Sequence, residues 1–179
     1  MNPITALDLQ ILHFIHGFSS PALDSFMKAV TYFGEYKIMF ALVAVLSIYK
    51  GTRHFGIQAC IAQFFQAALG PVLLKLLVQR PRPFLVDPTI ELIVKGPKSY
   101  SFPSGHSCTI FAFAFTLFFS DVDKKWKLLA FAIGLLVAIS RIYLQVHYPT
   151  DVLTGFFVGA LAGVLGKIGI KHLEKYISF

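Results

Sequence analysis

Ser140-Arg141-Ile142-Tyr143-Leu144-Gln145-Val146-His147-Tyr148-Pro149-Thr150-Asp151 sets an arginine, a histidine and an aspartate between two apolar runs. The run before it covers about residues 128–146 and the run after it about 152–170. Each approaches the roughly 20 residues that carry a helix across a bilayer. A charged side chain at the centre of such a span costs about 2.5–3.5 kcal/mol on insertion scales, so ionisable groups within spans mark function. This stretch therefore reads as the junction of two membrane helices, with a polar site at their shared end.

Working outward, three more apolar runs fit the same reading, at about residues 29–49, 55–78 and 106–120. Gly70-Pro71 predicts a kink in the second of these. The expected fold is an all-α, polytopic transmembrane helix bundle, a single integral-membrane domain over residues 1–179. It has five spans preceded by an amphipathic interfacial helix from Ile4 to Phe18, or six spans if that helix crosses. Gly155, Gly159, Gly163 and Gly166 form a small-residue stripe suited to close helix packing. The chain is 56% hydrophobic and 14% charged, against about 25% charged in soluble domains. A soluble helical bundle would have to account for every long apolar run. The net charge of +7 would suggest nucleic acid in a soluble protein. Here the basic residues lie between spans, so membrane topology and an anionic lipid account for them, and no nucleic acid partner is expected. Cys60 and Cys108 lie in apolar runs without a CxxC pattern and read as small buried residues. No basic n-region opens the chain, so no cleavable signal peptide is expected.

Alternating the spans across a membrane brings three polar motifs to one face. Lys75 and Arg82 end the second span, and share a helix face if that helix continues through Pro81. Pro103-Ser104-Gly105-His106 opens the third span, where unpaired backbone N–H groups and the helix dipole favour an anion. Ser104 adds a hydroxyl and Gly105 permits close approach. Arg141 ends the fourth span and can grip two phosphate oxygens. His147 and Asp151 straddle Pro149 at the start of the fifth. That spacing lets the carboxylate hold one imidazole nitrogen and leaves the other free as nucleophile or base. The plainer readings are snorkelling anchors for Lys75 and Arg82, and an ordinary helix cap for Ser104. A metal site of His106, His147 and Asp151 is the chemical rival, but Lys75, Arg82 and Arg141 would repel a cation and suit an anion.

Lys75 through Arg82-Pro83, then Pro103-Ser104-Gly105-His106, then Ser140-Arg141 through His147 to Asp151, resemble the three-part signature of the type 2 phosphatidic acid phosphatase (PAP2) family, in order and in spacing. The apolar runs are similar to its membrane lipid phosphatase branch, not to its soluble vanadate-dependent haloperoxidases. The resemblance implies a hydrolase that needs no metal or other cofactor. It implies His147 as the nucleophile that forms a phosphohistidine, Asp151 as its orienting partner and His106 as the acid and base. It implies Lys75, Arg82, Ser104, Gly105 and Arg141 as the phosphate-binding set.

The expected substrate is a lipid phosphate or diphosphate whose tail stays in the bilayer. Undecaprenyl diphosphate is the first choice, followed by phosphatidylglycerophosphate, phosphatidate and lipid A phosphate, all cell-envelope lipids. The face opposite the site carries Lys50, Arg53, Lys124, Lys125, Lys127, Lys167, Lys171 and Lys175. The positive-inside rule then puts the site on the periplasmic or extracellular side of a bacterial inner (plasma) membrane. Arg80, Lys95 and Lys98 could contact a large anionic headgroup, but the plainer reading is a solvated loop. The rival class is a non-catalytic protein that binds or moves lipids with a degenerate form of this site.

Overall fold

The computed structural model describes residues 2–176. Its elements among these residues are all helical. In chain order they are α1 (Pro3–His16), α2 (Pro21–Thr31), α3 (Tyr36–Ile48), α4 (Arg53–Ala67), α5 (Lys75–Val78), α6 (Pro83–Val86), α7 (Gly105–Phe118), α8 (Lys124–Tyr143) and α9 (Pro149–Leu173). Several boundaries follow from local chemistry. The Asn2 side chain accepts from Thr5 N at 2.7 Å at the head of α1, and Ser20 caps α2. Prolines open α1, α2, α6 and α9, where a missing N–H costs nothing.

Two breaks bear on the site. A 3₁₀ turn, Tyr32–Gly34, separates α2 from α3, and the two halves meet at 47°. At Gly34 an added Cβ would come within 2.6 Å of Val137 Cγ1 and 3.0 Å of His106 Cβ, so the bend presses the backbone against α7 and α8. The second break is the π-helical stretch Ala68–Leu74 around Pro71, which joins α4 to α5. Proline cannot donate within a helix, and a π-bulge is one way to absorb that. The kink expected at Gly70-Pro71 is this π turn.

The glycine stripe of α9 packs as its spacing predicts. A Cβ at Gly155, Gly159 or Gly163 would meet α7 side chains at 2.6–2.7 Å, and one at Gly166 would meet the Gln58 carbonyl of α4 at 2.9 Å. Around this seam Phe111, Phe115, Phe131 and Phe156 stack edge-on or tilted. The buried polar residues include Gln58, Gln63 and Gln66, while Ile48, Leu77, Leu128 and Phe157 are each at least 60% exposed. A polar interior beneath an apolar exterior is what a lipid solvent demands.

The span count needs correction. Among the described residues three helical bodies are long and apolar enough to cross a membrane: Arg53–Val86, Lys124–Tyr143 and Pro149–Leu173. The bent pair Pro21–Gly34 and Tyr36–Ile48, counted as one span, makes a fourth. The expected third span, α7, has 14 residues. At 1.5 Å per residue that is about 21 Å, short of the ~30 Å hydrocarbon core. Its start is set by the non-helical residues 101–104, of which Ser104 is the cap. The expected first span, from about residue 29, is interrupted by the turn at Tyr32–Gly34 and its 47° bend. A sixth span at α1 is not supported. α1 buries Asp8, Leu9 and Leu12 and holds the segments after α5 and α6 through polar groups, Asp8 to Arg80 and His13 Nε2 to Asp87 Oδ2 at 2.8 Å.

Candidate active site

The three motifs converge on one cavity of about 930 Å³. Lys75 from the end of the α4–α5 helix, Arg82 before α6, Gly105 and His106 from the head of α7, Arg141 from the end of α8 and His147 all line it. The route to this meeting differs from the expected one for Arg82. The helix ends at Val78, and Gln79 takes a left-handed conformation with φ 48°. Pro81 and Pro83 exclude a continuing helix. Arg82 therefore reaches the site from an extended turn rather than from a face shared with Lys75.

His147 is 2% exposed. Its Nδ1 lies 3.5 Å from Asp151 Oδ2, and its Nε2 lies 3.3 Å from Arg82 Nη1. A carboxylate on one side and a guanidinium N–H on the other select the same tautomer, protonated at Nδ1 with the Nε2 lone pair outward. Burial pushes the imidazole down to about 3; Arg82 and Arg141 act in the same direction, and the Asp151 hydrogen bond opposes them. At neutral pH the ring is thus uncharged and its outer nitrogen can attack an electrophile.

Asp151 is fully buried behind His147. Its Oδ2 accepts from Ser101 Oγ and, at 3.0 Å, from Tyr148 N. Its Oδ1 accepts from Arg80 Nη1 at 2.8 Å. It also sits in the first turn of α9, where the helix dipole favours a carboxylate. With both oxygens engaged behind the histidine, Asp151 does not complete a metal set with His106 and His147. Among the described residues no three His, Cys, Asp or Glu side chains come together as one.

The cations differ in how they are held. Arg82 gives Nε–H to Ser99 O at 2.7 Å, Nη1–H to Val146 O at 2.6 Å, and Nη2–H to Ser99 Oγ and Tyr100 O. Its remaining direction is toward His147. Arg141 donates from Nη1 to Thr31 Oγ1 at 2.6 Å, and its buried Nε has no partner among the described residues. Ser104 is fully buried and does not line the cavity. Its hydroxyl accepts from Ser107 N and Ser107 Oγ as the cap of α7, and its N–H donates to the Asp151 carbonyl at 3.1 Å. The plain capping role describes Ser104 in this structure.

Arg80, expected as a solvated loop residue, is instead central. It is 15% exposed and bridges two buried carboxylates, Asp8 at 2.7 Å and Asp151 at 2.8 Å. It also donates to Thr150 Oγ1 and stacks at 3.7 Å on the ring of Tyr148. Asp8 in turn accepts from Thr150 N and Thr150 Oγ1. The α1 helix is thereby tied to the support of His147. The one signal in the sequence was Asp8 itself, a lone acid interrupting an apolar helix. Glu35 was also missed. It stands at the α2–α3 bend, lines the cavity and places Oε1 3.9 Å from His106 Nε2.

Comparison with known proteins agrees with this geometry. The family model described as the PAP2 superfamily matches residues 54–171. The chain belongs to the PAP2 superfamily. An undecaprenyl-diphosphatase of Sulfolobus acidocaldarius is 34% identical over 139 residues, covering 77% of this chain and 66% of that protein. Phosphatidylglycerophosphatase B of Bacillus subtilis is 32% identical over 169 residues, covering 87% and 79%. Among solved structures, LpxE of Aquifex aeolicus superposes with a TM-score of 0.80 at 26% identity, covering 90% of this chain and 94% of that one. A transmembrane PAP2-type phosphatidylglycerolphosphate phosphatase of Bacillus subtilis gives 0.79 at 30% identity, covering 100% and 90%. This PAP2 protein is a membrane-embedded phosphatase, and the family resemblance read from its three motifs holds.

Proposed function

We propose that this PAP2 phosphatase removes a phosphoryl group from a lipid through a phosphohistidine on His147. The observation that carries the reading is His147 Nε2, unprotonated and backed by buried Asp151, facing a cavity lined by Lys75, Arg82 and Arg141. In the first step Nε2 attacks phosphorus, the Nδ1–H stays hydrogen-bonded to Asp151, and His106 protonates the leaving oxygen. In the second, His106 takes a proton from water, which attacks the phosphohistidine and releases phosphate. Arrival of the phosphoryl group transfers the Nη1–H of Arg82 from Nε2 to a phosphoryl oxygen. The unpaired Nε of Arg141, the Lys75 ammonium and the Gly105 backbone at the head of α7 take the others, with Ser104 holding that helix start in place.

The magnitudes require this sharing. Phosphate monoester hydrolysis calls for up to ~10²¹-fold acceleration, and one general acid supplies about 10²- to 10⁴-fold. Fixed cations and backbone dipoles must carry most of the remainder.

A polyprenyl diphosphate of the undecaprenyl type is the preferred substrate. Lys28 and Lys95 line the same cavity beyond the three motif cations, so a second phosphate has partners. Relatives named as undecaprenyl-diphosphatases support the choice. The basic residues of the opposite face orient the cavity outward from a plasma membrane. The test is inorganic phosphate release by purified protein in detergent with EDTA. Undecaprenyl diphosphate, phosphatidylglycerophosphate, phosphatidate and lipid A are assayed side by side, with His147→Ala as control. Release from the diphosphate, abolished in a variant that still folds, is the expected result. Full activity in His147→Ala refutes the mechanism, and activity abolished by EDTA refutes the metal-free chemistry.

A further inference from the structure

At the membrane face opposite the catalytic cavity, the start of α4 and the ends of α7 and α9 enclose a second cavity of about 520 Å³. Lys50, Arg53, Lys167 and Lys171 line it, against Asp121 and Glu174. Glu174 is itself engaged by His54 Nε2 at 2.6 Å. The positive-inside rule explains why lysines gather on this face, but three features go beyond it. First, α4 begins here without a side-chain cap. Thr52, at the cap position, donates its hydroxyl to Leu46 O at 2.8 Å instead of accepting from the helix. The positive end of a 15-residue helix is thus turned to the cavity. Second, Gln58 on α4 lines the cavity, is 3% exposed, and its Nε2 has no hydrogen-bond partner among the described residues. A buried unpaired donor costs about 1–3 kcal/mol, so it points to an acceptor from outside the chain. Third, Phe55, Val122 and Ile170 give the cavity an apolar wall at the membrane boundary.

We propose that this second cavity binds a phosphate-bearing anion, supplied by the phosphodiester headgroup of an anionic lipid in that leaflet. The Gln58 amide and the head of α4 hydrogen-bond the phosphate, Lys167 and Lys171 of α9 neutralise it, and the apolar wall takes the first part of the lipid tails. No chemistry is attached to it. The site is independent of the phosphatase reading and needs only the membrane embedding.

The experiment is native mass spectrometry of delipidated protein titrated with phosphatidylglycerol or phosphatidylcholine, with a parallel thermal-shift series in inorganic phosphate. Because the catalytic cavity also attracts lipid phosphate, wild type, Lys75→Gln, Lys171→Gln and Gln58→Leu are compared. The expected result is one phosphatidylglycerol, favoured over phosphatidylcholine, that persists in Lys75→Gln. Its affinity falls about 10-fold, equivalent to about 1.4 kcal/mol, in Lys171→Gln and in Gln58→Leu. Phosphate release by these last two variants stays at the wild-type level and shows that they are folded. A thermal shift by inorganic phosphate that Lys171→Gln removes, without lipid preference, keeps the anion site and overturns the lipid as its source. Equal binding of both lipids, or binding unchanged in both Lys171→Gln and Gln58→Leu, overturns the site.

Discussion

Arg80→Met tests the least expected part of the site. The substitution preserves much of the side-chain length and removes the one cation shared by Asp8, 2% exposed, and Asp151, fully buried. Breaking a buried ion pair by deleting one partner costs about 3–5 kcal/mol, because the other charge stays in place uncompensated. Here two carboxylates lose the same partner, so the upper part of that range applies. For a chain of this size, 1 kcal/mol moves Tm by roughly 2–4 °C, and a fall on the order of 10 °C or more is expected. Asp151 also loses the contact that fixes Oδ1, so the His147 ring is oriented only through Oδ2. We expect kcat to drop well beyond any change in KM. The assay pairs phosphate release with thermal unfolding in detergent. The double variant Arg80→Met/Asp8→Asn recovers part of the stability, since a neutral amide in place of the Asp8 carboxylate no longer needs a countercharge, while kcat stays low because Asp151 remains unpaired. Wild-type Tm and kcat in Arg80→Met would refute the clamp and return Arg80 to the solvated loop. Equal recovery of stability and kcat in the double variant would reduce Arg80 to a purely structural role.

Three further outcomes are expected. Gly159→Leu forces side-chain atoms into α7, where a Cβ already falls 2.7 Å from Phe111 Cβ; over-packing of this kind costs about 1–3 kcal/mol and lowers Tm. Glu35→Gln removes the carboxylate beside His106 and lowers kcat by about 10-fold, a fraction of what general acid catalysis provides, with thermal stability retained. His147 is held at about 3 in the folded protein against 6.5 for a free side chain. Protonation therefore favours the unfolded chain, and the stabilising contribution of neutral His147 is complete above pH 6.5 and is lost as pH falls toward 3. Thermal scans from about pH 7.5 to about 4 should show that decline, and a flatter curve for His147→Asn; identical slopes would contradict the burial argument.

Much of the site was written in local sequence. Lys75, Arg82, His106, Arg141 and His147 each sit beside an apolar run, where an ionisable group is conspicuous, and alternating spans place them at one end of the bundle. They do line one cavity. The glycines of α9 were legible for the same reason: a fixed helical spacing gives a face whatever that face meets. Arg80 and Glu35 were not legible. Arg80 stands in a polar loop where charge is ordinary, Glu35 lies near the start of an expected apolar run, and the partners of both are far along the chain; Arg80 is 72 residues from Asp8 and 71 from Asp151. Ser101 was hidden in the same way, as a loop serine whose hydroxyl meets Asp151 50 residues on.

By itself the sequence determined the solvent, the helical class and the chemical character of the site, because hydropathy, spacing and the need to compensate charge in lipid act residue by residue. Tertiary structure alone showed that α7 is a short helix of 14 residues, that Arg82 arrives from a turn and not a helix face, that Ser104 caps rather than lines the cavity, and that α1 is tied to Asp151 through Arg80. Each of those depends on which distant groups meet, and a hydrogen bond or ion pair acts only over a few ångströms, a distance that sequence position does not encode.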